Sequence, residues 1–129
     1  MKHAAITEPA IADLVDRFYA KVRADAVLGP IFNKAVTDWP EHLAKLSDFW
    51  SSVMLTSGRY KGNPMAAHMA LAGIEPAMFQ RWLGMFQETA EELFEPAEAA
   101  AFRAKAQRIA ESLQLGMFFK LEPRGAVAA

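Results

Sequence analysis

Four side chains in this sequence combine chemical reactivity with an apolar setting: His42, His68, Tyr19 and Trp82. An imidazole can hold a metal or exchange a proton near neutral pH. A phenol O–H and an indole N–H donate hydrogen bonds while burying an apolar body. Between Trp39 and Met54 the apolar residues Trp39, Leu43, Leu46, Phe49, Trp50, Val53 and Met54 recur at helical spacing. His42 lies in that stripe one turn before Leu46, with Lys45, Ser47, Asp48 and Ser51 on the other side, so it is expected to point inward. A lone inward histidine is usually a core residue hydrogen-bonded to its surroundings. A second one, His68 in the short Pro64-to-Leu71 segment, changes that balance and suggests one cavity shared by two histidines and two donors.

These residues are spread over a chain of 129 residues, the length of one domain. A net charge of −1 and a pI near 6.3, with basic residues scattered, provide no general attraction for nucleic acid or an anionic membrane. The absence of cysteine excludes disulfides, thiolate zinc sites, iron–sulfur clusters and thioether attachment of a haem. No stretch has the length and apolarity of a signal peptide or of a membrane span. The expectation is a cytoplasmic protein.

The elements that must position the four residues are marked by prolines near helix starts, where a missing N–H costs little. Thr7 and Pro9 open a helix to about Ala24, with the stripe Ile11, Leu14, Val15, Phe18, Tyr19 and Val22. Asp38, Pro40 and Glu41 open a second in a capping-box pattern, which Gly58 is expected to close. Asn63 and Pro64 open a short segment ending at Gly73; Pro76 opens a helix carrying Met78, Phe79, Trp82, Leu83, Phe86 and Ala90; Pro96 opens the last. Val27 to Asn33, too apolar for a free linker, is expected to form a tight corner. No alternating, β-branched run is present, so the fold reads as all-α. His3 is expected to be solvated near a flexible end. A domain over 1–119 and a flexible tail over 120–129 are expected.

The phosphate-loop, dinucleotide, zinc-protease and serine-elbow motifs are missing. No glutamate has a histidine three positions on, as a di-iron bundle requires. Two inward histidines on separate helical elements suit an iron held by one imidazole with its opposite face open. A flat macrocycle between those elements would account for the aromatic and methionine excess formed by Phe18, Phe32, Phe49, Trp50, Met54, Met65, Met69, Phe79 and Phe86, although each alone is most simply core.

Several ordered motifs carry a family resemblance. Phe18-Tyr19-Ala20-Lys21-Val22-Arg23 followed by Leu28-Gly29-Pro30-Ile31-Phe32-Asn33 resembles the opening of truncated haemoglobins. Trp39-Pro40-Glu41-His42, Lys45, Phe49-Trp50, Gly58-Arg59-Tyr60-Lys61-Gly62-Asn63-Pro64-Met65, His68 and Phe79-Gln80-Arg81-Trp82-Leu83 are similar to group III of that family. The resemblance spans roughly Ile6 to Phe118. It implies a shortened globin, helices stacked two over two around a non-covalent haem b and its iron. His68 would be the proximal ligand. Tyr19, His42 and Trp82 would face the distal side, with Leu46 an apolar wall. Lys45, Arg59 and Tyr60 would lie near the haem edge, where cations and a phenol can meet propionates.

A pocket with two such donors is expected to retain dioxygen, because hydrogen bonds to a charged acceptor contribute about 1.5–3 kcal/mol. The resemblance therefore implies binding of O2, NO, CO or peroxide, with redox chemistry or detoxification favoured over transport. It leaves peroxidase-like or NO dioxygenase-like turnover open and requires an unidentified reductase. No carboxylate partner for the proximal imidazole is identifiable. A competing reading of the same residues is a cofactor-free helical interaction module with core histidines. A sensor or electron-transfer role is a third, weakened by the lack of an output domain.

Overall fold

A computed structural model of the chain describes residues 2–64 and 74–117, and among these the regular structure is five α-helices: α1 (Glu8–Ala24), α2 (Leu28–Ala35), α3 (Trp39–Leu55), α4 (Pro76–Leu93) and α5 (Pro96–Met117). The all-α expectation holds. The only strand-like pairing among the described residues is an isolated bridge between His3 and Phe94.

Each long helix starts for a local reason. Thr7 Oγ1 accepts the Ala10 amide at 3.2 Å, Pro9 occupies the first turn of α1, and Glu8 there and Lys21 and Arg23 in the last turn oppose the helix dipole. Asp38 caps α3 by accepting the Glu41 amide at 3.1 Å, as the sequence pattern implies. Helices α4 and α5 begin at Pro76 and Pro96.

Three expectations need correction. The apolar Val27-to-Asn33 stretch is not merely a corner, because most of it belongs to the eight-residue helix α2. Asp25 starts that helix by accepting the amides of Val27 and Leu28 at 3.0 and 2.9 Å. Gly29 permits the close fit, since a Cβ there would stand 2.7 Å from the Arg23 carbonyl oxygen. Second, α3 ends before Gly58: Thr56 takes the left-handed terminal conformation at φ 52°, and its hydroxyl donates to the Leu55 carbonyl at 2.7 Å. Gly58, at φ 72°, instead bends the segment beyond. Third, His3 is not simply solvated. Its backbone exchanges hydrogen bonds with Leu93 and Glu95, and its ring lies 5.3 Å from Phe94 and 3.1 Å from an Asp13 oxygen.

Helix α1 is the hub, contacting α2, α3 and α4, while α4 pairs with α5. Two helix pairs, α1 with α3 and α4 with α5, thus meet through α1. Its inward stripe from Ala10 to Val22 is almost wholly covered, together with Trp50, Phe86 and Phe102 from the other helices and Phe94 between α4 and α5. Ion pairs set the register of α1 against α4: Lys21 bridges Glu88 at 3.1 Å and Glu92 at 2.9 Å. Further along, Arg81 makes a two-pronged contact to Asp25 at 2.8 and 2.7 Å. Those bonds, with the α2 amides, hold the Asp25 carboxyl well below the usual carboxylate range.

Candidate functional site

A cavity of about 560 Å³ lies between these helices and is lined by Phe32 of α2, His42, Leu46 and Phe49 of α3, Met78, Phe79 and Trp82 of α4, and Ile109 and Leu113 of α5. Tyr19 of α1 forms part of its wall, and the Arg59–Pro64 segment forms its rim. This is within the usual size range of small-molecule sites, roughly 300–1,000 Å³, and the lining is mainly apolar with few polar groups.

Tyr19 is 4% exposed and is surrounded by rings: Phe32 at 6.0 Å, Trp39 at 6.3 Å and His42 at 6.4 Å. Burial pushes its phenol pKa up to about 12, partly offset by a hydrogen bond with Trp82. The phenol therefore keeps its proton at neutral pH. The phenol O–H and the indole N–H are both donors, and both side chains line the cavity.

The plane of Trp82 is fixed from behind. Its ring stacks on Phe86 at 5.3 Å with a 7° tilt, and Phe86 stacks on Trp50 at 4.9 Å with a 16° tilt. Phe18 meets Trp82 and Phe86 edge-on at 5.4 and 5.1 Å. Contacts of this kind contribute about 0.5–1.5 kcal/mol each beyond their buried area. Phe18 and Phe86 are therefore not brought to the cavity; they support residues that are. Met54 likewise packs against the main core away from the lining, whereas Trp50 contributes to the lining.

His42 lines the cavity with its ring edge-on to Trp39 at 5.5 Å, and Arg23 sits 4.6 Å above the outer Trp39 ring. Leu46, Phe32, Phe49 and Phe79 are also brought together there. Lys45 lies at the lining while pairing with Glu41 at 3.2 Å. Arg59 and Tyr60 reach it from the segment after α3; Arg59 faces Glu8 at 3.5 Å, and the Tyr60 ring stands edge-on to Phe49 at 5.3 Å.

His68, Met65 and Met69 lie outside the described residues, as do Phe118 and the expected tail at 120–129. The residues on either side of the 65–73 segment, Pro64 and Ile74, both line the cavity.

Sequence reasoning missed Leu28, Met78, Ile109 and Leu113 as lining residues. Ile109 and Leu113 are one turn apart on α5, so helical spacing marks them as inward but cannot distinguish a cavity wall from close-packed core.

An apolar slot closed by donors at one end and bordered by Lys45, Arg59 and Lys61 fits a flat hydrophobic group with acidic edge substituents. Among the described residues no three His, Cys, Asp or Glu side chains come together to hold a metal ion alone. The sequence model of the bacterial-like globin family matches residues 5–114. The chain belongs to the bacterial-like globin family, whose resident group is haem with its iron. Within that class it is similar to group 3 truncated hemoglobin ctb of Campylobacter jejuni, with 36% identity over 124 residues covering 93% of this chain and 97% of the relative. The crystal structure of the group III truncated hemoglobin from Campylobacter jejuni superposes with a TM-score of 0.88 at 36% identity, covering 92% of this chain and 96% of that one. The group III resemblance and the shortened-globin fold expected from the motifs are thereby established. No helix among the described residues is long and apolar enough to cross a membrane.

Proposed function

We propose that this chain holds a non-covalent haem b through His68 and retains dioxygen and related diatomic ligands for redox chemistry or detoxification more than for transport. The observation that carries the reading is that Tyr19 and Trp82, two side chains able to donate hydrogen bonds, both line the mainly apolar cavity. The haem, held by His68, would supply an iron able to take O2, NO or CO. Tyr19 presents a buried phenol that keeps its proton and can donate it to a ligand in the cavity. His42 and Leu46 border the same space. Lys45 and Arg59, with Tyr60, would meet the acidic edge. Attachment of both Pro64 and Ile74 to the cavity supports His68 as the ligand, since it lies between them.

Two donors that reach one ligand hold a partially charged atom more firmly than a single one. Slow release suits a bound diatomic that is to be consumed by electrons from a reductase. Optical spectra of the purified ferric, deoxy-ferrous and O2-exposed protein test the reading. A Soret band, a five-coordinate ferrous form and a stable O2 form are expected. A colourless preparation that cannot be reconstituted with haem would instead favour a helical interaction module.

A further inference from the structure

The segment after α3 contributes Arg59 and Tyr60 to the cavity without belonging to a helix or strand. Its attachment is made of side-chain oxygens. Ser51, fully buried on α3, donates to Glu8 Oε2 at 2.7 Å, and its hydroxyl also lies 2.7 Å from that of Ser57. Ser57 in turn accepts the Arg59 amide at 3.3 Å, and Ser52 accepts the Tyr60 amide at 2.9 Å. The second Glu8 oxygen faces the Arg59 guanidinium at 3.5 Å.

We infer that Glu8, at the start of α1, is a positioning residue for the haem-edge rim: through Ser51 and Ser57 it fixes Arg59, and with it the adjoining Tyr60, and so slows loss of the cofactor. The inference rests on the proposed placement of Arg59 and Tyr60 at the haem edge. The Ser51 bond is the anchor, because it is short, buried on the serine side and made to a carboxylate. The Arg59 pair is long, and Arg59 is 55% exposed, which limits its contribution. Glu8 also occupies the first turn of a helix, where a negative charge is favoured.

Two rates are to be measured on the purified protein: transfer of haem to excess apomyoglobin, and tryptic cleavage after Arg59 and Lys61. Glu8→Ala and Ser51→Ala should each accelerate both by about ten-fold, the effect of losing one charge-assisted hydrogen bond. Glu8→Gln keeps an acceptor for Ser51 and should bring both rates back to within about two-fold of wild type, which a general loss of α1 stability would not do. In Glu8→Ala/Arg59→Ala the effect on haem transfer should be less than the product of the two single effects, because Glu8 acts through Arg59 and its neighbours. Wild-type rates in Glu8→Ala would overturn the inference, as would faster cleavage with unchanged haem transfer. If the wild-type chain takes up no haem, the functional reading fails, while unchanged cleavage in Glu8→Ala would independently remove the positioning role.

Discussion

The two sides of the cavity are held by different forces. Along α1 and α4, Tyr19 and Trp82 are locked by Phe18, Phe86 and Trp50, rings whose contacts also form the main core. Along the rim from Thr56 to Pro64 the chain lacks such a core and is tied by Ser51, Ser52, Ser57 and Glu8. The first side can hold a donor still against a small ligand. The second can admit and retain a large flat group, because separate hydrogen bonds open more easily than a packed core.

The strongest way to break this comparison is at His68, proposed to bind the iron from between the cavity-lining residues Pro64 and Ile74. His68→Ala should release or misligate the haem, with loss accelerated beyond the roughly 10–100-fold typical of removing a ligand's supporting partner. Transfer to apomyoglobin and the ferrous spectrum measure this. An ordinary five-coordinate spectrum without added imidazole would remove the assignment.

The aromatic side is sharpened by Tyr19→Phe and Trp82→Phe. Each should speed O2 release about ten-fold, the lower end of the range for a hydrogen bond to a charged acceptor. CO should respond less, since it carries little negative charge on oxygen. The double variant should fall short of the product of the two, because donors that share one acceptor re-orient when one is lost. Stopped-flow release from the three variants decides this; full multiplicativity would mean that the donors act separately.

The contrast also explains what the sequence disclosed. Tyr19, His42 and Trp82 were legible because each interrupts an apolar stripe of helical period, and the capped starts of α1 and α3 follow from Thr7 and Asp38. Helix α2 was less legible. Its start depends on the Asp25 carboxylate and on Gly29 approaching the backbone of α1, and periodicity over eight residues is weak. The rim was not legible either, since Glu8 and Ser51 are 43 positions apart and a serine on an exposed-looking face gives no sign of burial.

Asp25 tests whether the register of the aromatic side depends on polar contacts of its own. Asp25→Asn weakens both the Arg81 clamp and the α2 start, so at pH 7 its Tm should fall by a few degrees. The native carboxyl has a lowered pKa, through Arg81 first and the α2 amides next. Its stabilisation is therefore present above the ordinary carboxylate pKa of about 3.9 and is lost as pH falls through the depressed value. The Tm difference between wild type and variant should shrink below about pH 4. A difference independent of pH would assign the effect to altered packing.

His42 should give the smallest effect and marks the boundary between the two sides. Its ring meets both Trp39 and Tyr19 edge-on, and it lines the cavity near the start of α3. Trp39 is buried and steadied by Arg23 at 4.6 Å, whereas His42 is half-buried, so the imidazole is the smaller and more readily displaced of the two rings. Removing it should widen passage to the cavity while leaving Tyr19 and Trp82 in its wall. His42→Ala is therefore expected to raise the CO association rate several-fold, with a smaller change in O2 release. Flash photolysis and stopped-flow mixing separate the two rates. If O2 release responds more than CO association, His42 is a principal donor, and stabilisation of the ligand extends beyond the aromatic wall to the first turns of α3.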